Sequence, residues 1–213
     1  MITAANNITI SGSCWAFAST GAMEAHHRKV HGDKALFSEQ QLLDCSYGYG
    51  DFGCNGGFPA RAFEYVRQVG GIEPETDYPY EMETINGSLA CKFARKSILG
   101  RVKRVVNITE YDEEELQFAV ARAGPVTICY VVASDFRLYS GGVYSTKECG
   151  SPKAKDLTHA VVIVGYGVTD NDQKYWIVKN SWGEKWGILG YFLIERGSNM
   201  CGLADCASYP VMD

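Results

Sequence analysis

Two periods divide this chain. Between Cys14 and His31 the apolar positions Trp15, Phe17, Ala18, Ala22 and Met23 recur at helical spacing, and Gly32 follows as a stop. A second helix is predicted from Ser38 to Leu43, with Ser38 as N-cap and Gln41 three residues on at capping-box spacing. A third runs from Phe58 to Val69, with Pro59 in its first turn and Gly70-Gly71 beyond its end. The stretch from Gly71 to Ala90 is turn-rich and carries Pro74 and Pro79. Beyond it β-branched blocks take over: Val102 to Ile108, Pro125 to Val132, Ala160 to Tyr166, Lys174 to Val178 and Tyr191 to Glu195. One helix interrupts them, Asp112 to Ala123, acidic in its first turn as the macrodipole favours. A helical half followed by a strand half predicts an α+β protein of two lobes, with the crossover near Val105.

Composition sharpens this in three ways. The 46% hydrophobic and 21% charged content over 213 residues is that of a globular protein. The longest apolar run falls short of a membrane span, so none is expected. A net charge of −5 argues against a nucleic-acid partner, and Arg101-Val102-Lys103-Arg104 reads as the solvated face of a strand. Eight cysteines point to an oxidising compartment, and the acceptor triplets at Asn7, Asn86 and Asn107 agree with a secretory route. The N-terminus lacks the basic start and apolar core of a signal peptide, so Met1 is read as a processing boundary or an unusual gene product.

The candidate chemistry lies in three separated places. Gly12-Ser13-Cys14-Trp15 opens the first helix, Leu157-Thr158-His159-Ala160 leads into an apolar strand, and Lys179-Asn180-Ser181-Trp182-Gly183 follows the next. Read together, Cys14 is a nucleophile, His159 its base and Asn180 the group that orients the base. Thiolate is the reactive form of cysteine, and bringing a thiol from about 8.5 to about 3.5 takes about 7 kcal/mol. A helix N-terminus supplies under ~2 kcal/mol of that, so a histidine partner must carry most. His159 would take the thiol proton and return it to the leaving amine, and Trp182 would keep water off the His159–Asn180 bond. His26, His27 and His31 lie near the end of the same helix. The four-residue spacing of the last two could hold zinc, but favourable cations at a helix C-terminus account for them, and no metal or other cofactor is expected.

These residues resemble the papain-like cysteine endopeptidases, the cathepsin L branch most closely. The matching segments include Gly12-Ser13-Cys14-Trp15-Ala16-Phe17, Ser38-Glu39-Gln40-Gln41-Leu42-Leu43-Asp44-Cys45 and Gly53-Cys54-Asn55-Gly56-Gly57. Gly165-Tyr166-Gly167, Lys179-Asn180-Ser181-Trp182-Gly183, Trp186-Gly187 and Cys201-Gly202-Leu203 continue the match in register. The resemblance implies a helical left lobe over 1–105 with the nucleophile and a β-barrel-like right lobe over 106–206 with His159 and Asn180. It also implies that 207–213 returns to the left lobe and that a substrate cleft lies between the lobes. It implies that Gly12, Gly56, Gly57, Thr158, Trp182 and Trp186 contribute to substrate binding. Phe58, Pro59, Cys129, Leu157 and Cys206 would wall the main specificity pocket, whose apolar lining predicts a hydrophobic side chain one residue before the cleaved one. Disulfides Cys45–Cys91 and Cys149–Cys201 are implied as well, leaving Cys54 as an unpaired thiol. Cys129 and Cys206 could be bonded or could be two small pocket residues. Protein and peptide substrates are the expected partners, with a pro-segment or a cystatin-like inhibitor besides, and a monomer in a lysosomal, digestive or secreted setting.

Two departures stand out. Ile8 occupies the position of the family's oxyanion-hole glutamine, and Ser11 that of the cysteine that bonds the counterpart of Cys54. Losing such an oxyanion donor typically costs about 10²–10³ in rate, so a catalytically weak homologue that acts by binding is the alternative reading. A metal-dependent hydrolase built on the histidine-rich helix is a third, and it predicts sensitivity to chelators.

Overall fold

The computed structural model describes residues 12–81 and 90–213. The positions of Ile8 and Ser11, and the triplets beginning at Asn7 and Asn86, lie outside the described residues. The chain divides into two compact units, residues 12–106 with Tyr209–Asp213, and Asn107–Ser208.

The first unit is built on helices α1 (Cys14–His31), α2 (Glu39–Cys45) and α3 (Pro59–Val69). α1 is buried around most of its circumference, including Trp15, Ala18, Ala22, Met23 and His26. A helix apolar and small on nearly every side is one that belongs inside. It stops at Gly32, whose φ of 82° closes the helix with an N–H bond to Arg28 O. α3 buries Ala62, Phe63, Tyr65 and Val66, the spacing of a single apolar face, and ends at left-handed Gly70. Strand β1 (Val102–Asn107) neighbours β7 (Ser208–Met212), and Arg101, Lys103 and Arg104 are exposed around buried Val102. The Cys45–Cys91 disulfide closes a loop of 46 residues, worth about 4 kcal/mol in the chain-entropy model.

The start of α2 corrects the capping-box expectation. Ser38 Oγ accepts from Gln41 N at 2.9 Å, as a cap should. Gln41, however, does not reach back to Ser38. Its amide lies buried, donating to the Tyr65 hydroxyl at 3.1 Å and accepting from Glu73 N at 2.7 Å. Ser38 N finds Glu73 O instead, at 3.1 Å. A buried amide with several local partners gains more by satisfying them than by closing a second cap bond.

Beside this cap lies a group of buried acids. Glu39 is 6% exposed and accepts the Thr20 hydroxyl at 2.7 Å; burial, with the Glu24 and Glu75 carboxyls nearby, pushes it well above the usual carboxylate range. Its native state therefore holds a proton that the unfolded chain releases above about pH 4.3, and stability drains away as pH rises through the raised native value. Glu39→Gln removes that titration. Thermal melts should show the variant gaining on the wild type at pH 7 but not at pH 4. An equal effect at both pH values would contradict a proton on Glu39.

In the second unit the strands order β2 (Val126–Tyr130), β4 (His159–Val168), β5 (Lys174–Lys179), β6 (Tyr191–Glu195) and β3 (Val143–Tyr144). β2, β4, β5 and β6 pair antiparallel in turn, and β3 joins β6 in parallel. Phe136 is the hub of the aromatic core, with ring centroids 4.8 Å from Tyr144 and Phe192 and 5.3 Å from Trp186. Helix α4 (Glu113–Arg122) is capped by Asp112, whose carboxylate accepts from Glu115 N at 2.7 Å. Its acidic first turn serves more than the macrodipole. Glu113 accepts from Trp176 Nε1 at 2.7 Å and from the backbone N–H groups of Gly197 and Asn199.

Candidate active site

The candidate residues fall into two sets, one in each unit. In the first, Cys14 is the opening residue of α1 and half-buried. Ser13 precedes it with φ −95° and makes no side-chain cap, so the first helical N–H groups gain no capping oxygen from it. A sulfur placed here meets the positive end of the helix dipole. Trp15, fully buried, anchors this helix start by donating Nε1 to Gly53 O at 3.0 Å. Two glycines are required by close approach. A Cβ on Gly12, whose φ is +99°, would fall 1.7 Å from Cys54 O. One on Gly57 would fall 2.6 Å from the Trp15 ring and 2.7 Å from Asp51 Oδ1. Gly56 needs its φ of +115° rather than the space. Phe58 caps α3 under the Arg61 guanidinium, 4.8 Å from its ring, and Pro59 is buried in the first turn.

Cys54 and Cys14 stand outside the disulfides. Burial and the Asp44 charge push the Cys54 thiol up, which leaves it a poor nucleophile. Two histidines of α1 are buried packing groups: the His26 ring stacks on Tyr209, and His27 lies edge-on to Phe37. No set of three or more metal-ligating side chains with suitable geometry occurs among the described residues.

In the second unit, His159 is the first residue of β4, opposite Tyr130 in register, and 8% exposed. Its Nε2 lies 2.8 Å from Asn180 Oδ1, and Asn180 itself is buried just past β5, with its backbone N–H on Gly190 O. The same Oδ1 accepts from Ser181 N at 2.8 Å. A backbone N–H can only donate, so the amide atom facing it is the oxygen, and His159 Nε2 must be the protonated nitrogen. Nδ1 is left with its lone pair, which is the arrangement a base needs. The Trp182 ring stacks on the imidazole with centroids 5.0 Å apart, and Trp186 stands edge-on to Trp182 at 4.9 Å. Burial pushes His159 down to about 4, the Asn180 bond opposes this, and the Arg137 charge adds to it. Burial by itself thus favours the neutral imidazole.

Four other predicted residues sit near this pair. Thr158 Oγ1 accepts from Val132 N at 3.0 Å and Leu157 is half-buried. Cys129 and Cys206 are bonded to each other, which decides between the alternatives the sequence left open, and Cys149–Cys201 forms as expected. Asp51 and Arg137 escaped sequence reasoning. Asp51 is a lone acid in a glycine-rich turn, and Arg137 acts on His159 from a distant stretch of chain.

The chain matches the family described as papain family cysteine protease over residues 1–211. It is 50% identical to a pro-cathepsin H of Medicago truncatula and 48% identical to the thiol protease aleurain of Arabidopsis thaliana, each over 201 residues and 94% of this chain. It spans about half the length of these curated relatives, 56% and 54% respectively. Among solved structures, digestive procathepsin L2 of Tenebrio molitor larval midgut superposes with a TM-score of 0.88 at 42% identity, over 98% of this chain and 64% of that one. The bromelain protease of Ananas comosus, in complex with the E64 inhibitor, does so with 0.83 at 32%, over 100% of this chain and 94% of that one. With the α+β fold and a model match over almost its whole length, the chain belongs to the papain family of cysteine proteases.

Proposed function

We propose that this chain hydrolyses peptide bonds through a thioester on Cys14, with the helical unit supplying the nucleophile and the β-rich unit its base. The observation that carries this is the His159–Asn180 pair, held so that Nδ1 alone is free to accept a proton. His159 takes the thiol proton and Cys14 Sγ attacks the substrate carbonyl. The tetrahedral intermediate collapses as the imidazolium protonates the departing amine. Water, deprotonated by the same imidazole, then cleaves the thioester and restores the thiol. Asn180 fixes the ring and Trp182 shields their bond. Substrate backbone is held at Gly56 and Gly57, with Gly12, Thr158, Trp182 and Trp186 lining the approach.

The specificity residues that the family resemblance suggests are Phe58, Pro59, Leu157 and the Cys129–Cys206 disulfide, and none of them carries a charge. Burying an unpaired charge against them would be costly, so an apolar or aromatic side chain is preferred one residue before the cleaved one. A peptide library scanned at that position should show leucine, valine or phenylalanine enriched about tenfold or more over arginine. Dominant arginine there would overturn this lining. The working compartment we propose is lysosomal or secreted, a digestive lumen included.

Ile8 supports the second reading, a homologue that binds peptides but turns them over slowly. An epoxysuccinyl label separates the two. Labelling of Cys14 together with peptide turnover supports the peptidase, and labelling without turnover supports the slow binder.

A further inference from the structure

The turn before α3 holds a buried acid that the catalytic reading does not use. Asp51 is 0% exposed, between Gly50 and the short helical turn Gly53–Asn55. Its Oδ1 accepts from Phe58 N at 2.9 Å and packs against Gly57, where even a Cβ would not fit. Its Oδ2 is equally buried and makes no hydrogen bond. The neighbouring Ser46 hydroxyl spends its proton on Leu42 O, at 2.7 Å. The loop is otherwise closed on itself, with Phe52 N on Gly56 O at 2.8 Å and Arg61 Nη1 on Gly50 O at 2.6 Å.

An amide at this position would make the same bond to Phe58 N without a charge to bury. What a carboxyl adds is a proton that can come and go. We propose that Asp51 is a positioning residue for the segment Gly56–Phe58, and that it makes this segment's grip on a peptide backbone responsive to pH. The inference rests on the reading of that segment as the peptide-binding strand.

Burial pushes Asp51 up to about 6, against the Phe58 N–H and the Arg61 guanidinium, which favour the anion. Arg61, from α3, is the charged group that acts on it among the described residues. Linkage is reciprocal: if the Phe58 N–H favours the carboxylate, ionisation favours the conformation in which Phe58 N is held. A charged acceptor also makes the stronger bond. The segment is therefore held more firmly above about pH 6 than below it.

The test compares wild type with Asp51→Asn, which keeps an acceptor for Phe58 N and removes the titration. For a peptide substrate spanning the two residues before the scissile bond, wild-type KM should fall about threefold to tenfold between pH 5 and 7. In D51N the same ratio should stay within twofold. The Phe58 amide resonance should titrate with a midpoint near 6 in wild type and stay flat in D51N. A wild-type KM profile preserved in D51N, or a wild-type Phe58 amide that does not move, overturns the proposal. Should wild type hydrolyse no peptide, the peptidase reading fails by itself. Calorimetric affinity for the peptide in a Cys14→Ala background, with and without D51N, then replaces KM and judges Asp51 independently.

Discussion

Cys14→Ala is expected to lower kcat for peptide hydrolysis by about 10⁵–10⁶-fold, because a nucleophile and its base act as one unit and losing either removes most of what both supply. Loss of activity alone would say little about pairing, and the titration of His159 says more. In the variant no thiolate can form, and burial keeps His159 down at about 4. If the two are paired as proposed, a thiolate on Cys14 in the wild type favours the imidazolium, and the ring should stay protonated to distinctly higher pH. The imidazole resonances of the two proteins report the difference directly. Identical titration curves would mean that Cys14 and His159 are not electrostatic partners, and the proposed mechanism would fall.

The same shift fixes the sign of a stability effect. For a histidine lowered from about 6.5 to about 4, the unfolded chain binds the extra proton throughout that window. The Cys14→Ala variant should therefore lose stability as pH falls from 6.5 towards 4, by about 3 kcal/mol if nothing else titrates. Above pH 6.5 the contribution is complete. Glu39 works in the opposite direction, losing its contribution as pH rises, so the two buried groups offset each other where their titrations overlap.

How much of this could be read from the residues alone depended on whether the signal was local. α1 begins and ends where the sequence placed it, because its register and its stop at Gly32 are encoded within a few residues. β6 matched for the same reason, its four apolar residues and Glu195 being bounded by turns. β3, with two residues, and β7, interrupted by Pro210, have no period long enough to detect and exist through their partners. Gln41 fitted a capping box by spacing, and only tertiary partners show that its amide is used elsewhere. Cysteine counting could not decide on Cys129 and Cys206, since pairing is a matter of distance across 77 residues. The order of Cys14, His159 and Asn180 named the chemistry, but the tautomer of His159 depends on the Ser181 N–H. Asp51 was invisible because its chemistry comes from burial, and one acid among glycines reads as an ordinary turn residue.

Gly12→Ala tests the other half of the proposed site, the backbone that leads into Cys14. Two independent costs act at this position. Its φ of +99° is one that residues with a Cβ rarely adopt, which by itself costs about 1–3 kcal/mol. The added carbon would also stand 1.7 Å from Cys54 O, a main-chain atom that cannot rotate away as a side chain would. Either Gly12 or the turn Gly53–Asn55 has to move by more than 1 Å, and Cys14 lies two residues from the first while Trp15 is tied to the second through Gly53 O. A displacement of that size at a reacting atom costs about 10²-fold in rate. The variant should lose at least about 10²-fold in kcat/KM, with a slower Cys14 alkylation and a melting temperature lower by several degrees. Gly56→Ala separates the two costs, since its φ is similarly positive but open space surrounds its Cβ position. If Gly12→Ala and Gly56→Ala slow Cys14 alkylation equally, backbone strain alone explains the loss, and the Cys54 carbonyl is not what holds the nucleophile in place.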